Sequence, residues 1–416
     1  MKRVAVIVQR YGVEVNGGAE VHARMIAEQL ARTHDVTVLT SCAVEYQKWH
    51  PEYPPGEALV NGIRVIRFMN SRRGTPRQLK YTRKKAGGRL IIQKLHRILG
   101  KPSWMLKTFP ETSITEADWE TWLKYQGPYM PDLLNYLSAH HKEYEAYIFF
   151  TALYYPTAMG VLVVPEKSIL IPTMHDEKPM YMPGYRKTMS APAWIMFNTE
   201  VEQRFSEGLF SIERNRKMIA GVGITLLKDN YQIKDELLQK HNIPTPFIVY
   251  IGRVDANKGC DVLIKYFLQF RKETQLPVTL VMVGNNMLKA EESRYVIYTG
   301  FVDDDARNSI LMKAEALVIP SFFESLSLVL LESMGAGKPV IANGKTEVLR
   351  EHVNKSGGGW NYFNYNDFKK AMTELLNNPA EKKRRGDKGF EYVRQNYTWD
   401  KVLSIYDEAI EDVSKA

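Results

Sequence analysis

Short apolar runs recur along the chain with helix-length stretches between them, the pattern of parallel strands joined by helical crossovers. One set falls at 4–8, 36–40, 63–68, 147–150, 169–172 and 194–198; a second falls at 247–251, 278–283, 296–299, 316–319 and 339–342. Two sets predict two doubly wound α/β domains, with the boundary somewhere in 222–244. The stretch 72–145 breaks the rhythm. It is rich in basic and aromatic residues (Trp104, Phe109, Trp119, Trp122, Tyr125, Tyr129) and reads as an insertion that shapes a site or a partner surface. At the C-terminus, Trp399, Val402, Leu403, Tyr406 and Ile410 follow helical spacing, so the chain is expected to end in an amphipathic helix.

Composition supports a soluble globular protein, with 44% hydrophobic and 25% charged residues. A length of 416 residues suits two domains better than one. No window reaches the roughly 18 apolar residues of a membrane span, and MKRVAVIVQRYG has too short an apolar stretch for a signal peptide, so a cytoplasmic location is expected. Cys42 and Cys260 sit among apolar residues and read as packing residues.

The net charge of +9 is local. Residues 72–101 hold eleven Lys or Arg and no acid, which leaves 45 of the 56 basic residues against all 47 acids in the rest of the chain. Within that segment Leu90, Ile91, Leu95, Ile98 and Leu99 oppose Arg89, Lys94, Arg97 and Lys101. Such a helix suits the cytoplasmic membrane face or an anionic acceptor, and equally a solvated protein surface. No finger, zipper or RNP-type motif accompanies the charge, so nucleic acid is not an expected partner.

The candidate chemistry centres on 316–342, ALVIPSFFESLSLVLLESMGAGKPVIA, where Glu324 and Glu332 interrupt an apolar strand, turn and helix. Carboxylates in such a setting require hydrogen-bonding partners, which a polyhydroxylated ligand supplies. With Gly335 and Gly337 ending the helix that carries both acids, eight residues at ~1.5 Å rise separate them by ~12 Å at most. Upstream, the strand FIVYIG runs into Arg253, with Lys258 following in VDANKG. Two cations at a strand end suit a diphosphate, or serve as an ordinary solvated loop. In the first half, Gly17 and Gly18 precede an amphipathic helix, either to let backbone amides approach a ligand or simply to turn the chain. Asp303, Asp304 and Asp305 contain a D-x-D spacing, but they precede a helical stretch and read as its N-cap and first turn rather than as metal ligands.

Together these segments resemble the retaining glycosyltransferases of the GT-B fold, family 4, also called group 1 glycosyltransferases. GRVDANKG, GFVDDD, the E-x7-E within FFESLSLVLLE, and GAGKPVIA occur in the family's order, while NGGAE and the HD of PTMHDEKP resemble its first-half motifs. The resemblance implies two Rossmann-like domains facing a cleft: 1–224 for the acceptor and 244–396 for the donor, with 397–416 as a helix crossing back. It also implies roles. Arg253 and Lys258 would hold the donor diphosphate, Glu324 the sugar hydroxyls and Glu332 the ribose hydroxyls, with Gly252 and the amides of Ser325, Leu326 and Ser327 completing the donor site. Phe301 and Val302 would lie by the base, and Gly17 and Gly18 by the donor. His175 would lie near sugar and acceptor, steadied by Asp176. The family's turn commonly reads EGFG where this chain has ESLS, which puts the shape of the sugar pocket in question.

The function so implied is retaining, metal-independent transfer of a hexosyl or deoxyhexosyl group, with no cofactor. The donor would be a UDP- or GDP-type nucleotide sugar, and the acceptor a glycan or lipid-linked glycan in surface polysaccharide assembly. A nucleotide-sugar epimerase or soluble-acceptor synthase of the same fold, and a catalytically silent binding protein, are the alternatives.

Overall fold

The computed structural model describes residues 1–46, 48–71, 115–229, 231–289 and 293–416. The basic segment 72–101, with its proposed membrane-facing helix, and the aromatic residues Trp104 and Phe109 lie outside the described residues. The chain divides into two compact units: Met1–Gly221 with Val402–Ala416, and Val222–Lys401.

The first unit is an eight-stranded sheet in the order β3-β4-β2-β1-β5-β6-β7-β8. Its strands are β1 (Arg3–Ile7), β2 (Asp35–Ser41), β3 (Gly56–Val60), β4 (Ile63–Phe68), β5 (Ala146–Phe150), β6 (Ser168–Ile171), β7 (Trp194–Phe197) and β8 (Arg216–Ile219). All pairs are parallel except β3 with β4. The second unit has six parallel strands ordered β11-β10-β9-β12-β13-β14: β9 (Phe247–Ile251), β10 (Thr279–Val283), β11 (Val296–Gly300), β12 (Leu317–Ile319), β13 (Val340–Asn343) and β14 (Gly359–Tyr362). Central strands such as β5 and β10 are buried at every position, because crossover helices cover both faces of a parallel sheet.

Three strands escaped the hydrophobic pattern. β3 is an exposed antiparallel edge, β8 is the short basic run RKMI, and β14 reads GWNY; none has the apolar run that identifies a central strand. The insertion also needs correction. Trp119 and Trp122, on the helix Glu116–Gln126, are core residues of the first unit and not surface-shaping ones. The Trp119 ring lies on Gly184, where a Cβ would stand 2.0 Å from it.

The C-terminal helix, Trp399–Val413, buries Val402, Tyr406, Ala409, Ile410 and Val413 and from Val402 onward belongs to the first unit. Asp412 accepts from Trp194 Nε1 at 2.8 Å and pairs with Arg216 at 2.8 Å, which fixes the helix to the β7–β8 edge. Within the second unit, the segments that enter and leave it are joined. Ile224 N donates to Tyr397 O at 2.7 Å, and the Trp399 ring sits over Gly223. Cys42 and Cys260 are buried, free thiols. Among the described residues no helix is long and apolar enough to cross a membrane.

One buried histidine gives the first unit a pH dependence. His22 packs edge-on against Phe150 of β5, and burial lowers its pKa from 6.5 to about 4. As pH falls below 6.5 the unfolded chain takes up this proton and the folded chain does not, so stability present above 6.5 is lost toward pH 4, by about 3 kcal/mol in all. Glu202 works the other way, since burial raises its pKa from 4.5 to about 8 and its contribution declines as pH rises toward 8. The two contributions oppose each other between pH 7 and 4.5, so the test is the difference between variants: the midpoint of His22→Leu should rise relative to the wild type as pH falls from 6.5 to 4.5, and a pH-independent difference would refute the assignment.

Candidate functional site

In open parallel sheets, ligands bind beyond the carboxyl ends of strands where the strand order reverses. In the second unit that point lies between β9 and β12. The loop leaving β9 begins at Gly252 and carries Arg253, Asp255 and Lys258; the loop leaving β12 carries Glu324 and the turn Ser325–Leu326–Ser327. Lys258 Nζ meets Glu324 Oε1 at 2.8 Å, so the two loops are joined across the switch point by their charged side chains.

Each loop is held from behind. Asp255 accepts from Lys258 N at 2.8 Å, capping the single turn Ala256–Lys258, and also engages Arg253 Nε. Tyr250 Oη donates to Arg253 O at 2.8 Å. Gly259 adopts φ 75° beside Pro320 O, where a Cβ would come within 2.6 Å, so no other residue lets the two loops approach so closely. On the β12 side, Asn343 Nδ2 donates to Pro320 O at 3.1 Å and Thr346 Oγ1 to Ser321 O at 2.6 Å.

The helix after this turn runs Leu328–Gly335, which corrects the sequence reading. It carries Glu332 but not Glu324, because Ser327 takes the left-handed conformation (φ 66°) and breaks the chain direction between the two acids. Glu324 therefore belongs to a loop, and the 12 Å helical spacing does not apply to the pair. Glu332 is held by a residue outside the motifs: Arg307, on the helix Asp304–Lys313, reaches its two oxygens at 3.2 and 3.4 Å. Asp303 accepts from Ala306 N at 2.8 Å as the N-cap of that helix, Asp305 pairs with Lys234, and Asp304 faces Arg307. Asp303 is thus the N-cap and Asp304 and Asp305 lie in the first turn, as the sequence reading expects. Phe301 is exposed just past β11, with Val302 half-buried beside it.

In the first unit the order reverses between β1 and β5. Gly17 is the N-cap of the helix Gly18–Leu30, and its lack of a side chain makes room for a buried ion pair. Arg10 Nε donates to Glu20 Oε1 at 2.8 Å, and a Cβ on Gly17 would stand 2.0 Å from Glu20 Oε2. Gly18 faces open space. His175 lies beyond β6, with Glu177 at 3.9 Å, while Tyr181 Oη donates to Asp176 at 3.0 Å. The loop is anchored by Glu202, whose two oxygens accept from Met174 N at 2.5 Å and Asn198 N at 2.7 Å. No local signal in the sequence marked Glu202, Arg307, Asn343 or Thr346, because each acts on a segment distant in sequence.

Comparison with known proteins bears chiefly on the second unit. Residues 233–391 match the family model described as Glycosyl transferases group 1. A phosphatidyl-myo-inositol mannosyltransferase of Propionibacterium freudenreichii is 27% identical over 170 residues, covering 39% of this chain and 43% of that protein. The chain spans about half the length of the curated relatives it matches. Among solved structures, sucrose-phosphate synthase from Thermosynechococcus elongatus aligns over 100% of both chains with a TM-score of 0.68 at 17% identity. Anabaena HepE in complex with UDP-glucose aligns over 100% of both chains at 0.64 and 14%. At such identities the likeness speaks to fold, and the fold is GT-B.

Proposed function

We propose, from the premise of a group 1 glycosyltransferase domain at residues 233–391, that the protein transfers a sugar from a nucleotide diphosphate sugar to a glycan or lipid-linked glycan. Transfer proceeds with retention and without a metal, in cell-surface polysaccharide assembly at the cytoplasmic membrane face. The observation that carries this reading is the meeting of Lys258 and Glu324 at 2.8 Å over the β9/β12 switch point, with Arg253 on the same loop as Lys258. That cluster offers cations to a diphosphate and a carboxylate to sugar hydroxyls in one place.

The chemistry follows from the charges. When the bond between sugar C1 and the diphosphate oxygen breaks, negative charge grows on the leaving group, and Arg253, Lys258 and the amides at the start of Leu328–Gly335 oppose it. Glu324 holds sugar hydroxyls and Glu332, steadied by Arg307, the ribose. The acceptor oxygen bonds to C1 on the face the leaving group vacates, and its proton passes to the departing phosphate oxygen. No side chain is then required as nucleophile.

Proton NMR of the first-formed product, in buffer containing EDTA, tests the proposal. The expected product keeps the donor's anomeric configuration at an undiminished rate. An inverted anomer would reject retention, abolition by EDTA with rescue by Mn²⁺ or Mg²⁺ would reject metal independence, and turnover of the nucleotide sugar without an acceptor would favour an epimerase.

A further inference from the structure

Behind the Ser325–Leu326–Ser327 turn lies a chain of polar side chains, buried at His352 and Tyr397 and half-buried at Tyr392, that the donor reading does not use. His352, on the helix Glu347–Ser356, is 4% exposed and places Nε2 3.1 Å from Leu326 O. Its Nδ1 lies 3.1 Å from Tyr392 Oη, and Tyr392 Oη lies 3.3 Å from Tyr397 Oη. The direction of these bonds is fixed at one end. A carbonyl only accepts, so Nε2 carries the hydrogen, Nδ1 accepts from Tyr392 Oη, and Tyr392 accepts from Tyr397. The imidazole must be neutral for this, and burial lowers its pKa to about 4.

We infer that His352 is a positioning residue for the donor turn. This rests on the reading that the turn's amides meet the donor. Peptide planarity supplies the mechanism: Leu326 C=O and Ser327 N–H share one plane and point in opposite directions, so fixing the carbonyl toward the buried imidazole aims the amide the other way, out of the core. The turn needs such a hold. Ser327 is a non-glycine residue at φ 66°, its side chain makes no cap, and its buried Oγ finds no hydrogen-bond partner among the described residues. The far end of the relay is also anchored, since the Tyr397 backbone carbonyl accepts from Ile224 N where the chain enters the second unit. His352 thereby links the turn to the segments that enter and leave that unit.

The test compares His352→Leu, His352→Gln and Tyr392→Phe with the intact chain. The probe is whichever of UDP, GDP, ADP or dTDP stabilises the wild type most, with affinity measured by calorimetry and stability by melting. Glutamine places an amide donor near the position of Nε2, so it is expected to stay within about threefold of wild type, while leucine weakens binding about tenfold. Tyr392→Phe, which keeps the ring, should weaken binding a fewfold without a matching loss of midpoint. Wild-type affinity in His352→Leu, or equal weakening in the Gln and Leu variants in step with their melting, would overturn the assignment. Should His352→Leu fail to fold, wild-type affinity in Tyr392→Phe would do the same. If the wild type binds none of the four diphosphates, the donor reading itself falls; if it binds and only Lys258→Met loses binding, the role of His352 alone is refuted.

Discussion

Lys258→Met should lower kcat on the order of 10²- to 10³-fold, the cost of removing one preorganised charge from a developing oxyanion. Methionine keeps the apolar stem and removes only the ammonium. The fold should tolerate this, because the Lys258 side chain is 35% exposed and an ion pair so placed contributes roughly 0–1 kcal/mol to stability. The change also releases Glu324, which is 16% exposed and loses its 2.8 Å partner. Glu324→Gln should therefore cost rate on its own account, and the double variant should lose less than the product of the two singles. Arginine at 258 should not restore the rate, since a planar fork does not occupy the site of a compact ammonium. Steady-state kinetics of the four variants and the wild type decide the matter. A Lys258→Met enzyme within threefold of wild type would remove Lys258 from the donor site.

The separation between what was legible in the sequence and what was not follows the range of the interactions. Arg253, Lys258 and Glu324 stand within a few residues of strong apolar strands, and loops at strand ends are where a parallel sheet displays its chemistry. The same logic failed for the Glu324–Glu332 segment. An apolar stretch ended by glycines reads as one helix, and nothing local marks Ser327 as the residue that turns left-handed. The peptide that leads into it is held from outside, through the Leu326 carbonyl, by His352, 26 positions beyond Leu326. Arg307 was invisible for a similar reason: on a polar helix it looks like a solvated surface charge until the fold brings Glu332 to it. Trp119 and Trp122 show the converse error, since aromatic residues in an irregular stretch suggest a binding surface whereas their burial against Tyr185 and Gly184 makes them core.

Gly284→Ala should disable the donor site through the backbone alone. Gly284, just past β10, has φ 131°, and a Cβ there would stand 2.1 Å from Gly252 O and 2.8 Å from Gly252 C. Neither atom belongs to a side chain that can rotate away. Gly252 immediately precedes Arg253 and is itself bonded to β10 through Gly252 N to Val283 O at 2.9 Å, so relief of the clash must move the loop that carries Arg253 and Lys258. The combined strain and lost hydrogen bonding should cost about 2–4 kcal/mol, enough to lower the midpoint of the second unit by about 5–15 °C. Nucleotide affinity should fall further than stability accounts for at temperatures where the protein remains folded. Gly300→Ala is the matched comparison. Gly300 also has positive φ, 71°, but a Cβ there meets nothing within 4 Å, so only the conformational cost of about 1–2 kcal/mol applies and binding should be retained. If both variants lose stability equally and both keep wild-type affinity, backbone approach at Gly284 does not set the position of Arg253. If Gly284→Ala alone loses the nucleotide, the close packing of the β9 and β10 loops is what holds the cationic side of the site in place.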